Sequence, residues 1–367
     1  MSRTTRSRNR ALGTALGLVA ALGATAVLLT SSPDDPPAAP AGPVAAAAAW
    51  PGAQRADLPG NLADGPVWNP MYFLDARTSV GTAPDAGGEQ LRLLVRAADG
   101  AIRELRRMRI DAGSQFAGLT ADGDVLAWAE TAAGGRTSMW TVDLRTGTAP
   151  RRLTSDTGKA LFYDSQYDLV IADGRLHWAA AANSATDPST EVRSVALTGG
   201  PVAVREEPGE WAMSAWPWLV DGFGDRTGTT RLRNMVTFKE VKVPGSGAEL
   251  VTCSPAWCRV LVMQGGGLAR IDLMRPDGSD RVRAAGGTAA AAITDVAVLD
   301  RFEVLSETGP ETDLTGTARL LVFDSATGGT VDLAPDAQSA AYRGGVLWWS
   351  TGDQDNTQWH TLDLRTV

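Results

Sequence analysis

After residue 60 the chain runs in short bursts of alternating apolar and polar positions, each closed by Gly, Pro, Asn or Asp. Period-two alternation over so few residues predicts half-buried β-strands rather than helices. MWTVDLRTGTAPRRLT (139–154) is the clearest burst, reading as strand, tight turn, strand. With Asp143 as anchor, the same pattern recurs. LRLLVRAADGAIREL puts Arg96 at the anchor position, EVRSVALTGGPVAVRE Ala196, and TRLRNMVTFKEVKV Asn234. LARIDLMRPDGSDRVR puts Asp272 there, RLLVFDSATGGTVDL Asp324, and QWHTLDLRTV Asp363.

The anchors at 96, 143, 196, 234, 272, 324 and 363 recur with the period of about 40–50 residues that marks propeller blades of four antiparallel strands. One such unit cannot bury both of its faces, so neighbouring units must stack. The apolar runs VLAWAE (125–130), RLHWAA (175–180), CRVLVM (258–263) and GVLWWS (345–350) precede their hairpins and read as inner strands. The predicted fold is all-β, a seven-bladed β-propeller after an N-terminal hydrophobic helix. The fourth repeat is degenerate, with Phe238 where the others carry Gly or a polar turn residue; without it the ring has six blades. The last repeat ends at Val367 after its third strand, which would leave an exposed edge. GAQRADLPG (52–60) resembles the outer-strand segment GTAPRRLTS, so residues 53–58 are expected to complete the last blade.

The N-terminus breaks the pattern. Residues 1–10 carry four arginines and no acid, and residues 11–30 carry no charge. Twenty apolar or small residues span about 30 Å as a helix, enough to cross a bilayer, and the positive flank keeps the N-terminus inside. Two readings stay open, an uncleaved signal anchor and a cleaved signal peptide. Both place the remainder outside the cytoplasm. Residues 31–52 are Pro/Ala-rich and read as a semi-extended linker, and residues 53–367 as the propeller domain.

Charge and cysteine usage narrow the function. The net charge is −8, and −12 over residues 11–367 once the four leading arginines are set aside. Nucleic acid is therefore not expected as a partner. Cys253 and Cys258 lie in TCSPAWCRV, and outside the cytoplasm a pair this close is expected as a disulfide. Two free buried thiols are the alternative.

Candidate chemistry is sparse. No Gly-x-Ser-x-Gly elbow occurs. The only histidines, His177 and His360, sit in strand-like segments and read as residues packed between blades. Gly158-Lys159 lacks the other residues of a phosphate loop, and Gly245-Ser246-Gly247 reads as a turn. Asp353, Asp355 and Asn356 alternate oxygens but lack a distal Glu, so a solvated hairpin turn is expected rather than a calcium site. Trp211, Trp216 and Trp218 read as packing between blades rather than as a ligand platform. No catalytic, cofactor or metal site is assigned.

MWTVDLRTGTAPRRLT looks like the blade hairpin of TolB-type propellers. CSPAWCRVLV resembles their following strand, which opens on Ser-Pro-Asp-Gly; here Ala256-Trp257 replaces the Asp-Gly. VTCSPAWCRVLV and ARIDLMRPDGSDR together resemble a TolB-like group from high-GC Gram-positive bacteria, over about residues 60–367. TolB itself implies six blades, an additional N-terminal domain and partners at the outer envelope. Seven repeats and an anchor-like N-terminus depart from that pattern, so no family binding residue carries over.

The expected function is a non-enzymatic, extracytoplasmic scaffold, tethered through residues 11–30 or secreted, that binds a protein or peptide without a cofactor. The alternatives are a propeller enzyme of lyase or lactonase type, with acids or metal ligands converging on the central channel, and a carbohydrate-binding propeller with exposed aromatics on one face.

Overall fold

A computed structural model describes residues 42–367 except 112, 183–186, 223–227, 311 and 354–355. The anchor and signal readings of residues 11–30 fall outside the described residues. Among those described, no helix is long and apolar enough to cross a membrane.

Seven antiparallel sheets follow one another along the chain and form a ring, a seven-bladed β-propeller. The degenerate fourth repeat makes a complete blade of Trp211–Met213, Trp218–Asp221, Arg231–Asn234 and Glu240–Lys242. Phe238 takes the left-handed backbone (φ 60°) that glycine takes in other turns, and its exposed ring lies under the Arg205 guanidinium at 4.4 Å.

The seven anchor positions lie on the seven third strands, at the last residue in six of them and at Asp272 within Gly267–Met274 in the other. Their chemistry explains the repeat. A short carboxylate or amide at the strand end accepts the backbone N–H two residues on and so fixes the turn. Asp143 accepts from Arg145 N at 2.9 Å, Asn234 from Val236 N at 3.0 Å, Asp324 from Ala326 N at 3.0 Å and Asp363 from Arg365 N at 3.0 Å.

The apolar runs read as inner strands are instead the second strands, Val125–Ala132, Arg175–Ala181, Cys258–Gln264 and Val346–Thr351. A second strand is covered by neighbouring blades on both faces, which selects continuous apolar sequence; Trp128 and Trp178 are wholly buried there.

Arg55–Pro59 pairs antiparallel with Gln358–Asp363 and closes the ring, from Arg55 opposite Leu362 to Pro59 opposite Gln358. Blade seven is then bolted to blade one. Thr361 Oγ1 donates to Ala76 O at 2.7 Å, and Arg365 Nη2 donates to Leu74 O at 2.9 Å. Residues 44–50, inside the stretch read as linker, do not run free. Val44–Ala45 adds a parallel strand to Val331–Asp332 on blade six, Ala46–Ala49 makes one helical turn, and Trp50 is buried edge-on against Phe302 at 5.6 Å. An apolar tryptophan after an alanine run has surface to bury, and the outer wall of blade six receives it.

Cys253 and Cys258 stand opposite each other in the first hairpin of blade five and form the expected disulfide. Ser254 N donates to Trp257 O at 2.7 Å and closes the intervening turn. Trp257, standing where the resembled pattern has Gly, fills the seam with blade six. Its Nε1 donates to Asp300 O at 2.9 Å, and Arg275 stacks on the ring at 3.8 Å.

Candidate functional site

The innermost strand of blade three is interrupted. Lys159–Ala160 and Leu169–Ala172 both pair with Arg175–Ala181, at its two ends. Residues 161–168, LFYDSQYD, leave the sheet between them. The sequence favours this departure, because polar Asp, Ser and Gln replace the alternation of a strand, and Asp164 is left-handed at φ 60°. Asp168 holds the loop from below, accepting Tyr163 N at 3.0 Å and Ser165 N at 3.2 Å.

The loop crosses the ring. Ser165 Oγ donates to Asp295 Oδ1 at 2.6 Å, and Gln166 N to Asp295 Oδ2 at 3.0 Å. Arg343 Nη1 donates to Ser165 O at 2.7 Å, and Arg343 Nη2 to Asp164 Oδ1 at 2.8 Å. Asp295 follows the inner strand of blade six, and Arg343 ends the inner strand Ser339–Arg343 of blade seven. Blade three can touch blades six and seven only across the channel, so this loop plugs it.

Asp295 is presented by a buried ion pair. Arg259 on blade five meets Glu303 on blade six, with both side chains almost wholly buried. Arg259 Nη2 also donates to Asp295 O at 2.7 Å and to Ile293 O at 3.3 Å, while Glu303 Oε2 accepts Ala297 N at 2.8 Å. A buried charge pair is tolerated only when its remaining hydrogen-bonding groups find partners, and here the strand they hold supplies them.

Burial raises the carboxyl of Asp168 to about 6, against the two backbone N–H groups that favour its charge. Burial also raises Asp295, opposed by Ser165 and Gln166. The phenols of Tyr167 and Tyr342 are pushed upward by burial and stay neutral at ordinary pH.

Next to the plug is a pocket of about 470 Å³. Asp164, Asp295, Arg259 and Arg343 form its charged end, and Leu250, Thr252, Ala291, Ala292, Ala340 and Ala341 its walls. Gly222 and Gly228, on blade four, also border it. A second cavity of about 360 Å³ shares Ala291, Ala292 and Ala340 and continues between blades six and seven past Leu320 and Ser339.

The residues singled out by sequence do not gather here. His177 is buried with its ring tilted against that of Trp216, centroids 3.9 Å apart, and burial lowers its pKa. His360 bridges strands of blade seven, with Nδ1 at 2.7 Å from Asp57 Oδ1 and Nε2 at 2.8 Å from Thr351 Oγ1. Trp211 is buried with its Nε1 donating to Pro208 O at 2.8 Å, while Trp216 and Trp218 are partly buried. Asp353 caps its own turn by accepting Asn356 N at 2.9 Å; Asp355 lies outside the described residues. Among the described residues, no three His, Cys, Asp or Glu side chains group as metal ligands. The plug residues Asp164, Ser165, Asp295 and Arg343 escaped sequence reasoning. One signal was available, since LFYDSQYD breaks the strand pattern between two apolar pieces of one blade.

The sequence matches no family model and no curated protein. Solved structures do match. A prolyl endopeptidase structure superposes with a TM-score of 0.54 at 14% identity, over 86% of this chain and 49% of that one. An oligogalacturonate lyase in complex with manganese gives 0.50 at 12% identity, over 85% and 98%. The likeness is one of fold: a β-propeller. TolB from Acinetobacter baumannii also matches, at a TM-score of 0.37 and 12% identity over 77% of this chain and 62% of that one, too weak for the TolB resemblance to rest on. The chain spans about half the length of the peptidase chain it matches.

Proposed function

We propose that this protein is a non-enzymatic binding propeller, working outside the cytoplasm and tethered through residues 11–30 where that segment is retained. Its partner is a protein or peptide that enters the central pocket. The observation that carries the reading is the plug. The polar groups at the charged end of the pocket hold the loop 161–168 across the ring, while the Ala-lined remainder stays open to a ligand. The disulfide supports an oxidising compartment. The enzyme reading draws on one feature, the raised carboxyl of Asp295 at the pocket wall. That carboxylate already accepts two hydrogen bonds from the plug, which favours a structural role.

The test is photo-crosslinking in cells from a benzophenone side chain placed at Ala292 in the pocket, with Arg107 on the outer strand of blade one as the control. A discrete adduct formed from position 292 and absent from position 107 is expected. Equal labelling from both, or none from either, overturns the reading.

A further inference from the structure

We infer that the pocket receives the C-terminal carboxylate of an extended peptide, with Arg343 as the receptor and Asp164 as a built-in stand-in for the ligand. The inference rests on the binding reading above and adds the ligand's chemistry.

Arg343 reaches the charged end of the pocket with a side chain only 12% exposed, and Nη1 stays fixed on Ser165 O at 2.7 Å. Nη2 is held differently. Its partner is the carboxylate of Asp164, 2.8 Å away and 91% exposed. An ion pair with so exposed a partner contributes little, because water and salt screen it. An incoming carboxylate therefore exchanges with Asp164 at little loss. The incoming carboxylate takes over the charge-assisted hydrogen bond from Arg343 Nη2 that Asp164 releases.

The walls indicate what carries the carboxylate. The inner strands Ala289–Ala291 and Ser339–Arg343 each pair with one neighbour, so each leaves a row of backbone groups along its channel edge. Such edges take up an extended main chain by hydrogen bonding. Ala291, Ala292 and Ala340 project only methyl groups where the two cavities join, leaving space for a backbone to approach. A small carboxylate or an acidic sugar has no main chain to match these edges.

The probe is a pool of randomised N-acetyl tetrapeptides with free C-termini, set against the same pool amidated. Each is passed over full-length, detergent-solubilised protein, and retained peptides are counted by mass spectrometry. A hydrogen bond to a charged group contributes about 1.5–3 kcal/mol, so free acids should be retained about 10-fold or more over amides. Arg343→Gln should bring the ratio to one. Asp164→Asn, which removes the competing charge and keeps a residue type that tolerates left-handed backbone, should raise it.

A ratio of one in the unaltered protein, or a ratio that survives Arg343→Gln, overturns the inference. Should Arg343→Gln not fold, Asp164→Asn decides alone, and an unchanged ratio overturns it. Glucuronate displacing the peptide acids at equal concentration also sinks the peptide assignment. If acids and amides are retained equally, the carboxylate assignment falls while the binding reading stands. If neither pool is retained, this inference falls, and the crosslinking from position 292 decides the binding reading separately.

Discussion

Replacing Glu303 by alanine tests whether the Arg259–Glu303 pair holds the wall that presents Asp295. Arg259 and Glu303 expose 6% and 0% of their side chains, so the variant strands a guanidinium away from water. Breaking a buried pair by removing one partner costs about 3–5 kcal/mol. Arg259 keeps its bonds to the carbonyls of Ile293 and Asp295, which moderates the loss. Ala297 N loses its acceptor, which adds to it. The expected destabilisation is about 4 kcal/mol. Urea denaturation followed by tryptophan fluorescence reads this as a midpoint lowered by more than about 1 M, for a slope near 3 kcal/mol/M. The double variant Arg259→Met/Glu303→Leu removes both charges and should recover at least half the loss, since apolar replacement of a buried pair is often neutral. A Glu303→Ala variant within about 1 kcal/mol of the parent, or a double variant no more stable than the single one, would refute the reasoning.

The loop carboxylate Asp168 is raised to about 6 in the fold, so between about pH 6 and its ordinary value the folded state binds more protons than the unfolded one. Its contribution to stability therefore improves as pH falls from 6 toward 4, by up to about 3 kcal/mol, and Asp168→Asn should remove that component from parallel melts across this range. Cys253→Ala/Cys258→Ala should cost about 2 kcal/mol, because the short loop closed by the disulfide restrains the unfolded chain modestly; a loss above about 5 kcal/mol in chemical denaturation would point to a larger role. Trp50→Ala should cost about 3 kcal/mol if the chain ahead of the closing strand is part of the core, and an unchanged denaturation midpoint would show it is not.

The architecture is legible because each of its devices is local. The strand-end carboxylates at 143, 324 and 363 fix their own turns through the residue two places on, so the repeat appears in sequence as it does in space. The Cys253–Cys258 pair closes a single hairpin, and the likeness of residues 52–60 to an outer strand announces the closing strand, observed as Arg55–Pro59. The innermost strands were misplaced because apolar runs mark burial rather than position within a blade. In every blade but the fifth, most residues of the second strand are buried.

The central site depends on contacts no local pattern carries. Ser165 meets Asp295 across 130 residues, and Asp164 meets Arg343 across 179. None of these four lies in a motif. Each is an ordinary polar residue near the end of an inner strand, and it becomes part of a plug only because ring closure brings opposite blades within hydrogen-bonding distance. Sequence by itself determined the blade, its repetition and the disulfide, since these are set by neighbours along the chain. The tertiary structure alone decided where the channel closes, which charges face it and what space is left, because those follow from geometry around the whole ring.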